Sequence, residues 1–111
     1  MRLLTAALLL FVAALLEAGG DAIVRTGLHA SSALNRILLF LAGGLVLFAY
    51  GYAVNRPSWD FGRLLGVYVV FFFLVAQMIG WFWFGRAPSR GIWIGGAFIV
   101  IGGAIVAVSA K

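Results

Sequence analysis

Four long apolar runs, separated by short polar ones, set the character of this chain. The runs are Leu3–Val24, Ile37–Val54, Leu64–Phe84 and Gly91–Ala110. Each is close to the ~20 residues that cross ~30 Å of hydrocarbon as a helix. Membrane β-strands would be shorter and would alternate polar with apolar positions, and these runs do not. The intervening segments, 25–36, 55–63 and 85–90, carry the turn formers: Gly27, Ser31 and Ser32 in the first, Pro57 and Gly62 in the second, Pro88 and Ser89 in the third. Such short connections join antiparallel neighbours. The pattern therefore predicts an all-α polytopic membrane protein, with residues 1–111 forming one domain of four transmembrane helices in up-down-up-down order.

Composition agrees with that reading. Of 111 residues, 65% are hydrophobic and 10% charged, where soluble domains are about half apolar and a quarter charged. Arg2 followed by Leu3–Leu16 has the outline of a signal peptide, with small residues at Ala18–Gly20. Glu17 and Arg25, however, fall where a retained helix with a functional face would carry them, so a retained helix is expected. There is no cysteine and a single histidine, His29. Thiolate chemistry, disulfides and cysteine metal sites are thereby excluded, and nucleophile–histidine pairs lack material. The sequence gives no reason to expect an enzyme, a cofactor or a metal site. The net charge of +5 reads as headgroup anchoring rather than nucleic-acid binding, because the basic residues sit at the ends of apolar runs. With the termini on one side, Arg2, Arg56, Arg63 and Lys111 face Arg25, Arg36, Arg86 and Arg90 on the other. This tie removes the bias that normally sets orientation. It leaves two readings open: orientation set by Arg2 and the amino terminus, or insertion both ways with opposite copies pairing as an antiparallel homodimer.

The exception to the apolar pattern is acidic. Glu17 lies about fourteen residues into the first run, roughly 21 Å along a helix. An ionisable side chain at such depth marks a functional site by default. Asp21 and Arg25 follow at intervals of four, on the same helix face. Asp21 has two available partners, the cavity or Arg25. Desolvation favours the neutral form of a carboxyl, so Glu17 is expected to hold a proton and to release it when a cation binds. Tyr50, Tyr52 and Tyr68 offer hydroxyls to a carboxylate and ring faces to a cation. Trp81, Trp83 and Trp93, with Trp59 at the opposite end, read as interfacial belts. Phe71, Phe72 and Phe73, being consecutive, read as packing. Gly95, Gly96, Gly102 and Gly103 form two glycine pairs seven residues apart, the spacing of a close helix–helix contact within or between subunits.

The run Glu17-Ala18-Gly19-Gly20 with Arg25 beyond it, the segment Trp81-Phe82-Trp83-Phe84-Gly85-Arg86, and Gly96 through Ala104 resemble, in order and spacing, the small multidrug resistance superfamily over nearly the whole chain. Phe61-Gly62-Arg63 followed by Tyr68 is similar to its YnfA-type branch. The resemblance implies an antiparallel dual-topology homodimer in the bacterial inner membrane, with contacts through the last helix at Gly95, Gly96, Gly102 and Gly103. It also implies proton-coupled export of small organic cations by alternating access: quaternary or aromatic cations, guanidinium compounds or polyamines. Glu17 would be shared between proton and substrate, and Tyr68 stands where many members carry a substrate-contacting tryptophan; Tyr50 and Asp21 join the candidate site from the residues themselves. Three positions depart from the family pattern. Asp21 adds an acid, which would favour more highly charged substrates or alter proton stoichiometry. Leu65 stands where drug exporters tend to carry tyrosine. Val69-Val70-Phe71-Phe72 replaces a glycine-rich bend tied to the asymmetry and switching of the dimer. The alternatives are a subunit of a flippase for lipid-linked substrates, in which the basic loop residues would matter more than Glu17, and a non-transporting membrane partner.

Overall fold

A computed structural model describes residues 3–109. They form four helices: α1 (Leu3–Leu28), α2 (Ala33–Val54), α3 (Phe61–Phe82) and α4 (Arg90–Val108). All four are long and apolar enough to cross a membrane, and among the described residues there is no strand. The chain is an all-helical integral membrane protein. Arg2, Ala110 and Lys111, which enter the charge balance or the expected end of the last helix, lie outside the described residues.

The helices begin and end differently from the apolar runs because polar residues at the junctions serve as caps. Ser32 accepts a hydrogen bond from the Asn35 backbone N–H at 3.1 Å, starting α2 four residues before its first isoleucine. Asp60 and Ser89 do the same for α3 and α4, accepting from the N–H groups of Arg63 and Ile92 at 3.3 Å each. Such side-chain acceptors satisfy donors that the first helical turn leaves unpaired. At its other end α1 continues through Arg25-Thr26-Gly27-Leu28. The Thr26 hydroxyl donates back to the Ala22 carbonyl at 2.8 Å. α3 closes two residues early, at Phe82, and the chain turns at Gly85, whose φ of 71° suits a residue without Cβ.

Glycines fix how the helices approach. Gly20 and Gly43 face each other across α1 and α2: a Cβ on either would come within 3.3 Å of the other's carbonyl oxygen. Gly27, further along α1, packs on Leu39 and Phe40. α1 and α2 therefore run antiparallel with their backbones close, as small residues permit in membrane helices. On α4, Gly96 lies against Phe73 and Gly103 against Val70, while Val106 reaches Gly66, which makes α3 and α4 antiparallel. α1 and α3 run parallel, with Glu17 beside Tyr68. The connectivity is up-down-up-down, and among the described residues α4 packs mainly on α3.

α1 is the central helix. Ala6, Leu10, Ala13, Ala14 and Ala18 form a buried stripe along it at the three- and four-residue spacing of one helix face. Leu64, Val67, Tyr68 and Val75 of α3 and Val54 of α2 close over the stripe. Outside it, large apolar side chains stand exposed, among them Leu45 at 73%, Phe48 at 76% and Phe98 at 72%. Apolar patches on this scale do not face water in soluble proteins; here they face lipid. α3 is unbroken through Val69-Val70-Phe71-Phe72. These β-branched and aromatic residues pack rather than bend: Phe71 and Phe72 lie against the core and Phe73 against Gly96.

Candidate functional site

The parallel packing of α1 and α3 brings together two residues fifty-one positions apart. The Tyr68 hydroxyl donates to Oε1 of Glu17 at 2.7 Å, the length of a strong O–H···O bond. Tyr68 is buried, with 4% of its surface exposed, and Glu17 is half-buried. The bond occupies one carboxyl oxygen and leaves the other for a proton or a ligand. The Tyr50 ring from α2 lies 5.7 Å from that of Tyr68, tilted by 33°, and the Phe72 ring lies 6.2 Å from it, tilted by 35°. Tyr68, the ring bonded to Glu17, thus stands in a chain of three aromatic rings contributed by α2 and α3. Phe72, which the consecutive run Phe71-Phe72-Phe73 presents as packing, does more: its place one turn beyond Tyr68 on α3 is the signal that connects it to the site.

Asp21 is exposed and lines a small cavity of about 130 Å³ between α1 and α3, with Ala18, Phe72, Ala76 and Phe84 around it. Of its two possible partners the structure selects the cavity. The Arg25 guanidinium sits over the Phe84 ring, 5.6 Å from its centre, the distance of a cation–π contact. Among the described residues no basic nitrogen lies within 4.0 Å of Glu17, Asp21 or Asp60. Glu17 and Asp21, one turn or about 6 Å apart along the axis, thus form an acidic strip without a counter-cation among the described residues.

Other candidate residues divide. Tyr52 points away from the groove, 64% exposed, with the Arg56 guanidinium 5.6 Å from its ring centre. Trp81, Trp83 and Trp93 are exposed at one end, but Trp59 is half-buried, with the Arg63 guanidinium 4.7 Å from its ring centre. Gly96 and Gly103 are covered by α3 of the same chain, so only Gly95 and Gly102 remain on an open face of α4, with nothing within 4 Å of a Cβ there. The two glycine registers, equivalent in spacing, do different things: one seats α4 on α3, and the other is outward.

No family model matches the chain, and no curated protein or solved structure does so either.

Proposed function

We propose that this protein is a proton-coupled antiporter that exports small organic cations by alternating access, working as an antiparallel homodimer in a bacterial inner membrane. The observation that carries the reading is the Tyr68–Glu17 hydrogen bond, beside an aromatic and acidic strip that holds no basic partner among the described residues. An acid in low-dielectric surroundings needs a proton, a cation or several donors to be stable there. The Tyr68 hydroxyl supplies one donor and fixes the carboxyl. A proton or an organic cation completes it, and the two compete for the same oxygen. Competition of this kind couples the fluxes, because each ligand lowers the apparent affinity for the other by the same factor. The rings of Tyr50, Tyr68 and Phe72 supply faces suited to alkylammonium or aromatic cations. Asp21, one turn along the groove, adds a second negative charge and favours substrates with more than one positive centre. Gly95 and Gly102 supply an open strip on α4 for contact with the second copy.

The experiment is flux in liposomes under an imposed pH gradient, across a panel of cations, with Glu17→Gln and Asp21→Asn in parallel. Proton-driven flux in the wild type that vanishes in Glu17→Gln supports the reading. Flux that survives Glu17→Gln, or no flux with any cation, refutes it.

A further inference from the structure

A cavity of about 780 Å³ lies where α1 ends and α2 begins, next to the Asp21 cavity, with which it shares Phe84. Its rim is basic and polar, with Arg25, Thr26, His29, Ser31 and Asn35, and its floor is Leu38, Leu39 and Phe84. Among the described residues no carboxylate lines it. The His29 Nδ1–H donates to the Arg25 carbonyl at 2.9 Å, since a carbonyl oxygen only accepts. That bond orients the ring and leaves Nε2 available. The Arg36 guanidinium donates to the Ala30 carbonyl at 3.1 Å and so ties the connecting loop beside the cavity while keeping a second positive charge near it. The Arg25 guanidinium rests over Phe84 and makes no hydrogen bond to another described residue, so its N–H fork is available to an acceptor. A planar fork of this kind matches phosphate oxygens.

The floor indicates where the rest of such a ligand goes. Leu38, Leu41, Leu45 and Phe48 form one stripe down α2, 53%, 62%, 73% and 76% exposed. Ten residues of helix cover roughly 15 Å, about half of the ~30 Å hydrocarbon thickness and so the depth of one leaflet. A cationic rim opening onto an apolar track one leaflet deep has the shape of a lipid, with its phosphate at the rim and an acyl chain along the stripe. We infer that the cavity between the end of α1 and the start of α2 is a binding site for an anionic phospholipid, with Arg25 holding the phosphate.

The test is native mass spectrometry of the full chain in detergent, after addition of phosphatidylglycerol or phosphatidylcholine. The wild type is expected to retain one phosphatidylglycerol per chain under activation that strips phosphatidylcholine. Arg25→Gln is expected to lower that retention about tenfold, in line with the loss of a charge-assisted contact. Arg90→Gln, on the same side of the membrane but outside the cavity, should leave it unchanged. Leu38→Trp fills the floor while keeping every charge, and should also lose the lipid, which keeps the inference testable if Arg25→Gln does not fold. Equal retention of both lipids, equal loss in Arg25→Gln and Arg90→Gln, or full retention in Leu38→Trp would overturn it. Displacement by glycerol 3-phosphate would reassign the cavity to a soluble phosphate ester and overturn the lipid identification.

Discussion

A single methyl group at Gly43 is expected to force α1 and α2 apart, whereas the same methyl at Gly44 is not. A Cβ at position 43 would stand 2.7 Å from Val24 Cγ2, 3.2 Å from the Gly20 carbonyl oxygen and 3.3 Å from the Val24 backbone nitrogen. The first contact can be relieved by rotating a side chain. The other two are backbone, and yield only if the helix axes separate. Overpacking of this kind costs about 1–3 kcal/mol, and a gap of even ~0.5–1 Å forfeits a quarter to a half of each dispersion contact along the seam. Alanine also gains up to about 1 kcal/mol over glycine as a helix former, which offsets part of the loss. Gly44 receives that same gain but meets nothing within 4 Å. The difference between the two variants therefore isolates the packing term, and Gly43→Ala should be less stable than Gly44→Ala by about 1–3 kcal/mol. Equilibrium unfolding of the detergent-solubilised protein across a series of SDS fractions, read by tryptophan emission, measures that difference. Equal stability of the two, or a more damaging Gly44→Ala, would refute the close approach at Gly20 and Gly43. The seam matters to the site because Gly20 lies three residues from Glu17 and α2 carries Tyr50, so parting the helices also opens the groove.

Two further outcomes follow from the side-chain geometry. Tyr68→Phe keeps the ring between Tyr50 and Phe72 but deletes the donor to Glu17; the loss of one hydrogen bond, about 0.5–1.5 kcal/mol, should weaken calorimetric cation binding about two- to tenfold, while Tyr52→Phe leaves it unchanged. Arg63→Gln removes a guanidinium that donates to the Ala107 carbonyl at 2.8 Å and lies over Trp59; since α4 packs mainly on α3 among the described residues, hydrogen exchange should accelerate in the last turns of α4 and not in α1, by a factor matching roughly 1–3 kcal/mol.

The helices were legible in the sequence because each run is uniformly apolar over membrane thickness, and Glu17 because one acid interrupts such a run. Their ends were less so. Ser32, Asp60 and Ser89 read as loop residues by polarity, yet each caps a helix through its side chain. Helix arrangement was hidden for a related reason: in a chain meant for lipid every face is apolar, so hydropathy does not say which face meets protein. Gly95 and Gly96 are adjacent and equally small, and only the positions of Phe73 and Val70 on α3 decide that Gly96 and Gly103 turn inward. The same holds for Arg25. Its spacing from Asp21 permits an ion pair, but Phe84, brought in by the parallel packing of α1 and α3, takes the guanidinium instead. Tyr68 was flagged by its hydroxyl and by its position, but its bond to Glu17 depends on a register between α1 and α3 that neither helix encodes alone.

The central claim is that Glu17 exchanges a proton for a cation, and proton release on binding tests it most directly. A transported cation, identified by flux, is added to the purified protein in weakly buffered detergent, and the pH change is followed with an indicator dye. The wild type is expected to release protons in proportion to cation occupancy, and Glu17→Gln to release none. Binding without proton release, or equal release from Glu17→Gln, would contradict the account.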